Sequence, residues 1–369
     1  MKSHHLSRGV CFLLFAVCLL FTGCGKSKPE QAVISELELI KQLDEETIKF
    51  FVSYEDMMSS DTQTTDIGPE TTEAVQLFFK NFDYRILSSR ISKNSASVNV
   101  RLTNLDMKSL AHDMCLALTE RSTDPRTSPE PLSMNGYFTL LRDVLKSHSY
   151  KILSTDARFE LTRLSDGSWS IQNTDSLEDQ LVGGFITYLN DPYLVTPEEI
   201  LTLTFDCFLE FSAENWMTYL DMDDIFSTGS SLAKQLDTEL ASQIARYFRY
   251  EISDSSSSEA FAQVTVSITS LNLENVLNNC RTRLLEYAST TEAVRDTDTE
   301  LAEKTAEMLY DSLSTNEDTV SQELTISFSN NGSSWDMHLD EDFANAILGN
   351  ASEAVSALTG EVLTETESN

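Results

Sequence analysis

The sequence predicts an α+β protein in which one domain, helices packed with an antiparallel sheet, occurs twice in tandem. Three observations carry this prediction. The stretch FDYRILSSRISKNSASVNVRLTNLDMKSL at 82–110 returns without a gap at 248–276 as FRYEISDSSSSEAFAQVTVSITSLNLENV, matching Phe82 with Phe248, Tyr84 with Tyr250, Val98 with Val264 and Leu105 with Leu271. Each pair lies 166 positions apart (248 − 82), and Trp169/Trp335 and Gly183/Gly349 keep that separation, the mark of an internal duplication. Within the repeat, Ala96, Val98, Val100 and Leu102 alternate with Ser97, Asn99, Arg101 and Thr103, as in a strand with one buried face. Apolar stripes at helical spacing flank these strands. The length of 369 residues suits two domains of about 150.

In chain order, the first element is an export signal. Lys2 and Arg8 precede an apolar run from Val10 to Phe21, too short for the roughly 20 residues that cross a bilayer. The run closes on Phe21-Thr22-Gly23-Cys24, which resembles the lipobox of a bacterial lipoprotein precursor, with Phe21 where Leu is usual. That resemblance implies attachment of diacylglycerol to the Cys24 sulfur and cleavage before it, leaving 1–23 as the signal peptide and 24–29 as a lipidated tether. Two acyl chains anchor a protein stably where one does not. The resemblance therefore implies a location on the outer face of the bacterial cytoplasmic membrane.

The first repeat is expected over 30–190. A helical stripe runs from Ser35 to about Met58, through Leu37, Ile40, Ile48, Phe51 and Tyr54. After a polar break at 59–66 comes a helix near 70–80, then the repeated strands. Asp106 and its counterpart Asn272 suit helix N-caps, ahead of the stripes Met107, Leu110, Met114, Leu118 and Leu273, Val276, Cys280, Leu284. A polar loop over 121–136, a helix at 137–148, and a hairpin through Phe159, Leu161, the Asp166-Gly167 turn and Trp169 follow, closed by a short helix at Leu177–Val182. Asn190 to Pro197 reads as the junction. The second repeat, 197–350, opens with Thr196-Pro197, good chemistry for starting a helix, and closes with the Asn331-Gly332 turn, Trp335 and a helix bearing Phe343 and Ile347. Residues 351–369 read as a polar, acidic tail.

This element order, with the run Val98-x-Val100-x-Leu102-Thr103-Asn104-Leu105-Asp106, resembles the nuclear-transport-factor-2-like (cystatin-like) domains found in tandem in lipoproteins of low-GC Gram-positive bacteria. The resemblance implies a cone-like fold, a curved sheet holding a long helix. The helical pair between the second and third strands departs from the compact family pattern. The family includes isomerases and dehydratases as well as modules without chemistry, so the fold alone does not choose a function.

The chemistry-bearing residues are sparse. With 59 acidic and 26 basic residues the formal charge is −33, and loss of Lys2 and Arg8 takes it to −35 (24 − 59). Such a surface argues against nucleic acid as a partner. Cys115, Cys207 and Cys280 read as buried small apolar residues. His112-Asp113 is read as a solvated helix face and His148 as a helix-end residue. Asp221, Asp223 and Asp224 lack the glycine turn and further ligands of a calcium loop. Trp169 and Trp335 read as hairpin core.

No catalytic, cofactor-binding or metal site is therefore assigned, and Cys24 is the single site residue. The expected function is a membrane-anchored, non-catalytic binding or interaction module for a small molecule or protein. The alternative is a cone-pocket enzyme, isomerase- or dehydratase-like, acting on a small apolar molecule.

Overall fold

The computed structural model describes residues 28–43, 69–124, 132–222 and 232–359. Their elements begin with α1 (Pro29–Lys41), α2 (Pro69–Phe79), β1 (Asp83–Ser92), β2 (Ser95–Leu105), α3 (Met107–Thr123), α4 (Met134–Ser147), β3 (Ile152–Arg163), β4 (Trp169–Ile171), α5 (Asp175–Leu181) and α6 (Phe185–Leu189). There follow α7 (Pro197–Leu209), α8 (Ala213–Tyr219), α9 (Ala233–Tyr247), β5 (Arg249–Ser257), β6 (Phe261–Leu271), α10 (Leu273–Ala288), α11 (Asp298–Ser314), β7 (Thr319–Asn330), β8 (Trp335–His338), α12 (Glu341–Ile347) and α13 (Ala351–Thr359). The chain divides into two compact units at Leu194/Val195. Each is α+β, with a four-stranded antiparallel sheet in sequential order, β1-β2-β3-β4 and β5-β6-β7-β8.

The period-2 pattern does what it predicts. Val98, Val100 and Leu102, and their counterparts Val264, Val266 and Ile268, are fully buried, while the intervening residues lie on the opposite face. The duplication extends to irregularities. Pairing of Ile86 with Val100 is followed by Ser88 with Asn99, so Leu87 is a bulge; pairing of Ile252 with Val266 is followed by Asp254 with Thr265, so Ser253 is its equivalent. A bulge bends the strand and increases its twist.

The constant offset breaks in one place. Ser95 pairs with Thr162 and Phe261 with Ser329, so the third strands are 167 apart (329 − 162). The β3–β4 connection holds five residues, 164–168, and the β7–β8 connection four, 331–334, which restores 166 at Trp169/Trp335.

Helix ends follow local chemistry. Thr196 and Glu199 form a reciprocal capping box ahead of α7, with Pro197 in the first turn. Asp106 accepts from the Ser109 backbone N–H at 3.2 Å and Asn272 from that of Asn275 at 3.0 Å. Gly183 and Gly349 have φ of +64° and +70°, and a Cβ on Gly349 would lie 2.2 Å from the Leu271 carbonyl oxygen. Only glycine fits such an approach.

Three expectations change. Residues 351–369 do not form a polar tail throughout: Ala351–Thr359 is helical, with Ala354 buried. The Gly349-Asn350 turn redirects the chain, and Asn350 donates to Glu353. In the first repeat the helix expected from Ser35 to about Met58 begins at Pro29 and ends at Lys41 with Gln42 as its C-cap; Ile48, Phe51, Tyr54 and Met58 lie outside the described residues. The second unit has α8, which the sequence reading lacked; its Trp216 is fully buried, 5.3 Å from the rings of both Phe208 and Phe248.

Each unit has its own core. In the first, Leu37, Phe78, Phe138, Phe159 and Phe185 close over Val98 and Val100; in the second, Phe205, Phe208, Trp216, Phe248 and Phe343 close over Val264 and Val266. Each large side chain removed from water contributes about 1.5–3 kcal/mol.

Candidate functional site

The helices cover one face of each sheet, and the site lies on the other. Strand register sets its side chains in rows. Across β1, β2 and β3 these are Asp83–Thr103–Ser154, Arg85–Arg101–Asp156, Ser88–Asn99–Arg158 and Arg90–Ser97–Glu160. Four arginines against three carboxylates leave this face at about +1 (4 − 3) in a chain of −33.

Hydrogen bonds order the rows. Arg101 grips Asp156 with two bonds, Nε to Oδ1 at 2.7 Å and Nη2 to Oδ2 at 3.0 Å. That pairing holds the Asp156 carboxyl below its usual range against the opposing effect of burial, with a lesser contribution from the charge of Arg85. Asn99 donates to Ser88 Oγ at 2.9 Å, Arg158 Nε donates to Glu160 at 2.6 Å, and Thr103 and Ser154 share a 3.0 Å hydroxyl pair. Arg85 makes no hydrogen bond or ion pair among the described residues. At the bulge the face opens into a shallow cleft of about 320 Å³, with Ser88, Asn99, Asp156, Arg158 and Gln180 as its polar lining and Leu87 as an apolar one. Gln180 reaches it from α5, its Oε1 3.4 Å from the Arg158 backbone nitrogen.

The second sheet carries the same architecture with other chemistry. Its rows read Arg249–Thr269–Ser321, Glu251–Ser267–Glu323, Asp254–Thr265–Thr325 and Ser256–Gln263–Ser327. One arginine against three carboxylates gives about −2 (1 − 3). Only the hydroxyl pair persists, as Thr269 with Ser321 at 2.7 Å. The two units thus share buried faces and differ on their open ones.

The residues singled out by sequence are dispersed. Cys24, Asp223 and Asp224 lie outside the described residues. Asp221 is exposed, and no cluster of metal-ligating side chains occurs among the described residues. Trp169 and Trp335 are buried, with Arg163 5.8 Å above the Trp169 ring. Cys207 and Cys280 are buried and Cys115 half-buried; burial pushes the Cys115 thiol up to about 11.

His112-Asp113 is not a freely solvated face. Asp113 accepts from the Tyr150 hydroxyl at 2.8 Å and lies 3.5 Å from His112 Nδ1, while His148 caps α4 beside the Tyr150 ring. Burial, then the Asp113 contact, raises the Tyr150 pKa, so the phenol stays protonated and ties α3 to the start of β3. The second unit has Asn279 in place of Asp113 (279 − 113 = 166).

The arginine face was missed because its members are far apart in sequence and one in every two residues of a strand carries no apolar signal. The missed clue was the comparison of copies: Arg85, Arg101 and Arg158 stand against Glu251, Ser267 and Thr325.

No protein-family model matches the chain, and no curated protein is similar to it. Among solved structures, one from Bacillus subtilis described as a "putative lipoprotein (ycdA)" is similar over 73% of this chain and 94% of that chain, at 11% identity and a TM-score of 0.26.

Proposed function

We propose that the chain is an extracytoplasmic lipoprotein, held at the outer face of the bacterial cytoplasmic membrane by a diacylglyceryl group on Cys24. It acts there as a non-catalytic binding module whose working surface is the open face of the first sheet. The observation that carries the second statement is the contrast between the faces. The space between helices and sheet, where a cone-like domain would take a ligand, is filled by Phe78, Phe138, Phe159 and Phe185 in one unit and by Phe205, Phe208, Trp216 and Phe343 in the other. The opposite face of the first sheet is polar, open and differently charged from its duplicate.

The anchor rests on the Lys2/Arg8, apolar run and Cys24 pattern; among the described residues no helix is long and apolar enough to cross a membrane. The nuclear-transport-factor-2-like assignment rests on element order and on helices packed to one side of an antiparallel sheet. A cone-pocket isomerase or dehydratase would need an apolar cavity where these aromatic rings stand.

Membrane partition of the wild type and of Cys24→Ala, with the cleavage site mapped by mass spectrometry, tests the anchor. The variant should stay uncleaved at that bond and lose its lipid. Processing at the same bond with full retention in the membrane would sink the reading.

A further inference from the structure

We infer that the cleft at the β1 bulge binds a polyhydroxylated monocarboxylate of monosaccharide size, a sugar acid. This rests on the open-face reading above and names its ligand. Three observations point to it.

The volume, about 320 Å³, lies at the lower end of small-molecule sites. It suits a single sugar-sized molecule better than a peptide segment or a protein surface.

The lining is polar and mixed. Asn99 and Gln180 each offer a donor and an acceptor from one carboxamide, Ser88 a hydroxyl, and Asp156 acceptor capacity beyond its two bonds from Arg101. Such a set can meet several ligand hydroxyls at once. Leu87, 40% exposed on the bulge, supplies apolar contact for a ring face.

The charge is local and small. Arg158 lines the cleft with its side chain 66% exposed and its Nε bonded to Glu160 at 2.6 Å, and Arg85 stands in the neighbouring row, its charge acting on Asp156. A guanidinium fork matches a planar carboxylate. With Asp156 and Glu160 nearby, a face of about +1 is balanced by a single negative charge. In the second unit Thr325 and Asp254 replace Arg158 and Ser88, so that sheet lacks the fork and adds a repelling carboxylate.

The test is an amide-resolved NMR titration of the full mature chain with glucuronate, using glucose and inorganic phosphate as comparators. Glucuronate should shift the Leu87, Ser88, Asn99, Arg158 and Gln180 amides saturably. Glucose and phosphate should bind at least ~10-fold more weakly, Arg158→Gln should weaken glucuronate by ~10-fold or more, and Arg249→Gln on the second sheet should leave it unchanged. Absence of saturable shifts at those amides, an equal response to phosphate, or an unaltered response in Arg158→Gln overturns the inference. The broader open-face reading fails by a different sign: a ligand that moves the buried Val98 and Phe159 amides and leaves the open rows still.

Discussion

The hydroxyl of Tyr84 donates to Glu38 at 2.6 Å, and the hydroxyl of Tyr250 donates to Asp206 at the same distance. The tyrosines are 166 apart (250 − 84) and their acceptors 168 apart (206 − 38), so the pair is duplicated although a constant offset hides it. Each bond pins the first described helix of its unit to the edge strand of the sheet. Burial raises both tyrosine pKa values, with the acceptor carboxylate as the next cause, so both phenols stay donors. Tyr250→Phe should lower stability by about 1 kcal/mol, the value of a hydrogen bond to a charged group discounted for partial exposure. Tyr84→Phe should move the urea midpoint in the same direction. Unchanged midpoints in both variants would remove these bonds from the account.

The three duplicated or turn glycines should rank by what surrounds them. Gly349→Ala brings a Cβ within 2.2 Å of the Leu271 carbonyl at a left-handed φ, so it should cost more than about 2 kcal/mol. Gly183→Ala meets Met107 Cγ at 2.9 Å, a side chain that can yield. Gly332→Ala meets nothing within 4 Å and should cost only the backbone term, about 1–2 kcal/mol. Calorimetry that found Gly332→Ala the most damaging would contradict this packing.

Much of this fold is legible in the sequence because burial leaves a period. The alternation at 96–102 and the stripe Leu236, Leu240, Ile244 each fall where one face is dry. What was not legible depended on partners distant in sequence. Trp216 gave no stripe because α8 has only seven residues, and α13 was read as tail because Ala354 is the one buried side chain among the described side chains of that helix. The arginine rows form only when β1, β2 and β3 come into register.

Trp216 should prove the keystone of the second core. Its ring lies 5.2–5.3 Å from those of Phe208, Phe211 and Phe248, and Trp216→Ala should cost about 3–5 kcal/mol. A loss below about 1 kcal/mol in chemical denaturation would mean that α8 is not packed as described.

The Cys115 thiol gives a pH signature. Its folded pKa, raised to about 11 by burial, exceeds the unfolded value near 8.5–9. The folded state therefore holds the proton that the unfolded chain releases, and stability is complete below pH 8.5 and falls as pH rises towards 11. Replacing Cys115 with Ala should flatten that decline. Rapid alkylation of Cys115 in the folded protein at pH 8 would contradict the burial that raises it.

Asp156 should titrate in the opposite sense. Held low first by Arg101, its carboxylate persists below the usual range, so its contribution is present above pH 4 and is lost as pH falls through the lowered value. Carboxyl-carbon NMR should find its midpoint below that of an unpaired aspartate, and Arg101→Gln should bring it back up. A midpoint at or above 4 in the wild type would break the link between Arg101 on β2 and Asp156 on β3.

The central claim is that both interiors are closed and that binding takes place on an open sheet face. Methyl NMR of Val98, Val100, Val264 and Val266, all fully buried between sheet and helices, tests it most directly during titration with a panel of small apolar molecules. The account predicts no saturable shift at any of the four. Saturable shifts at Val98 and Val100, or at Val264 and Val266, would show a ligand entering between helices and sheet and would restore the cone-pocket enzyme.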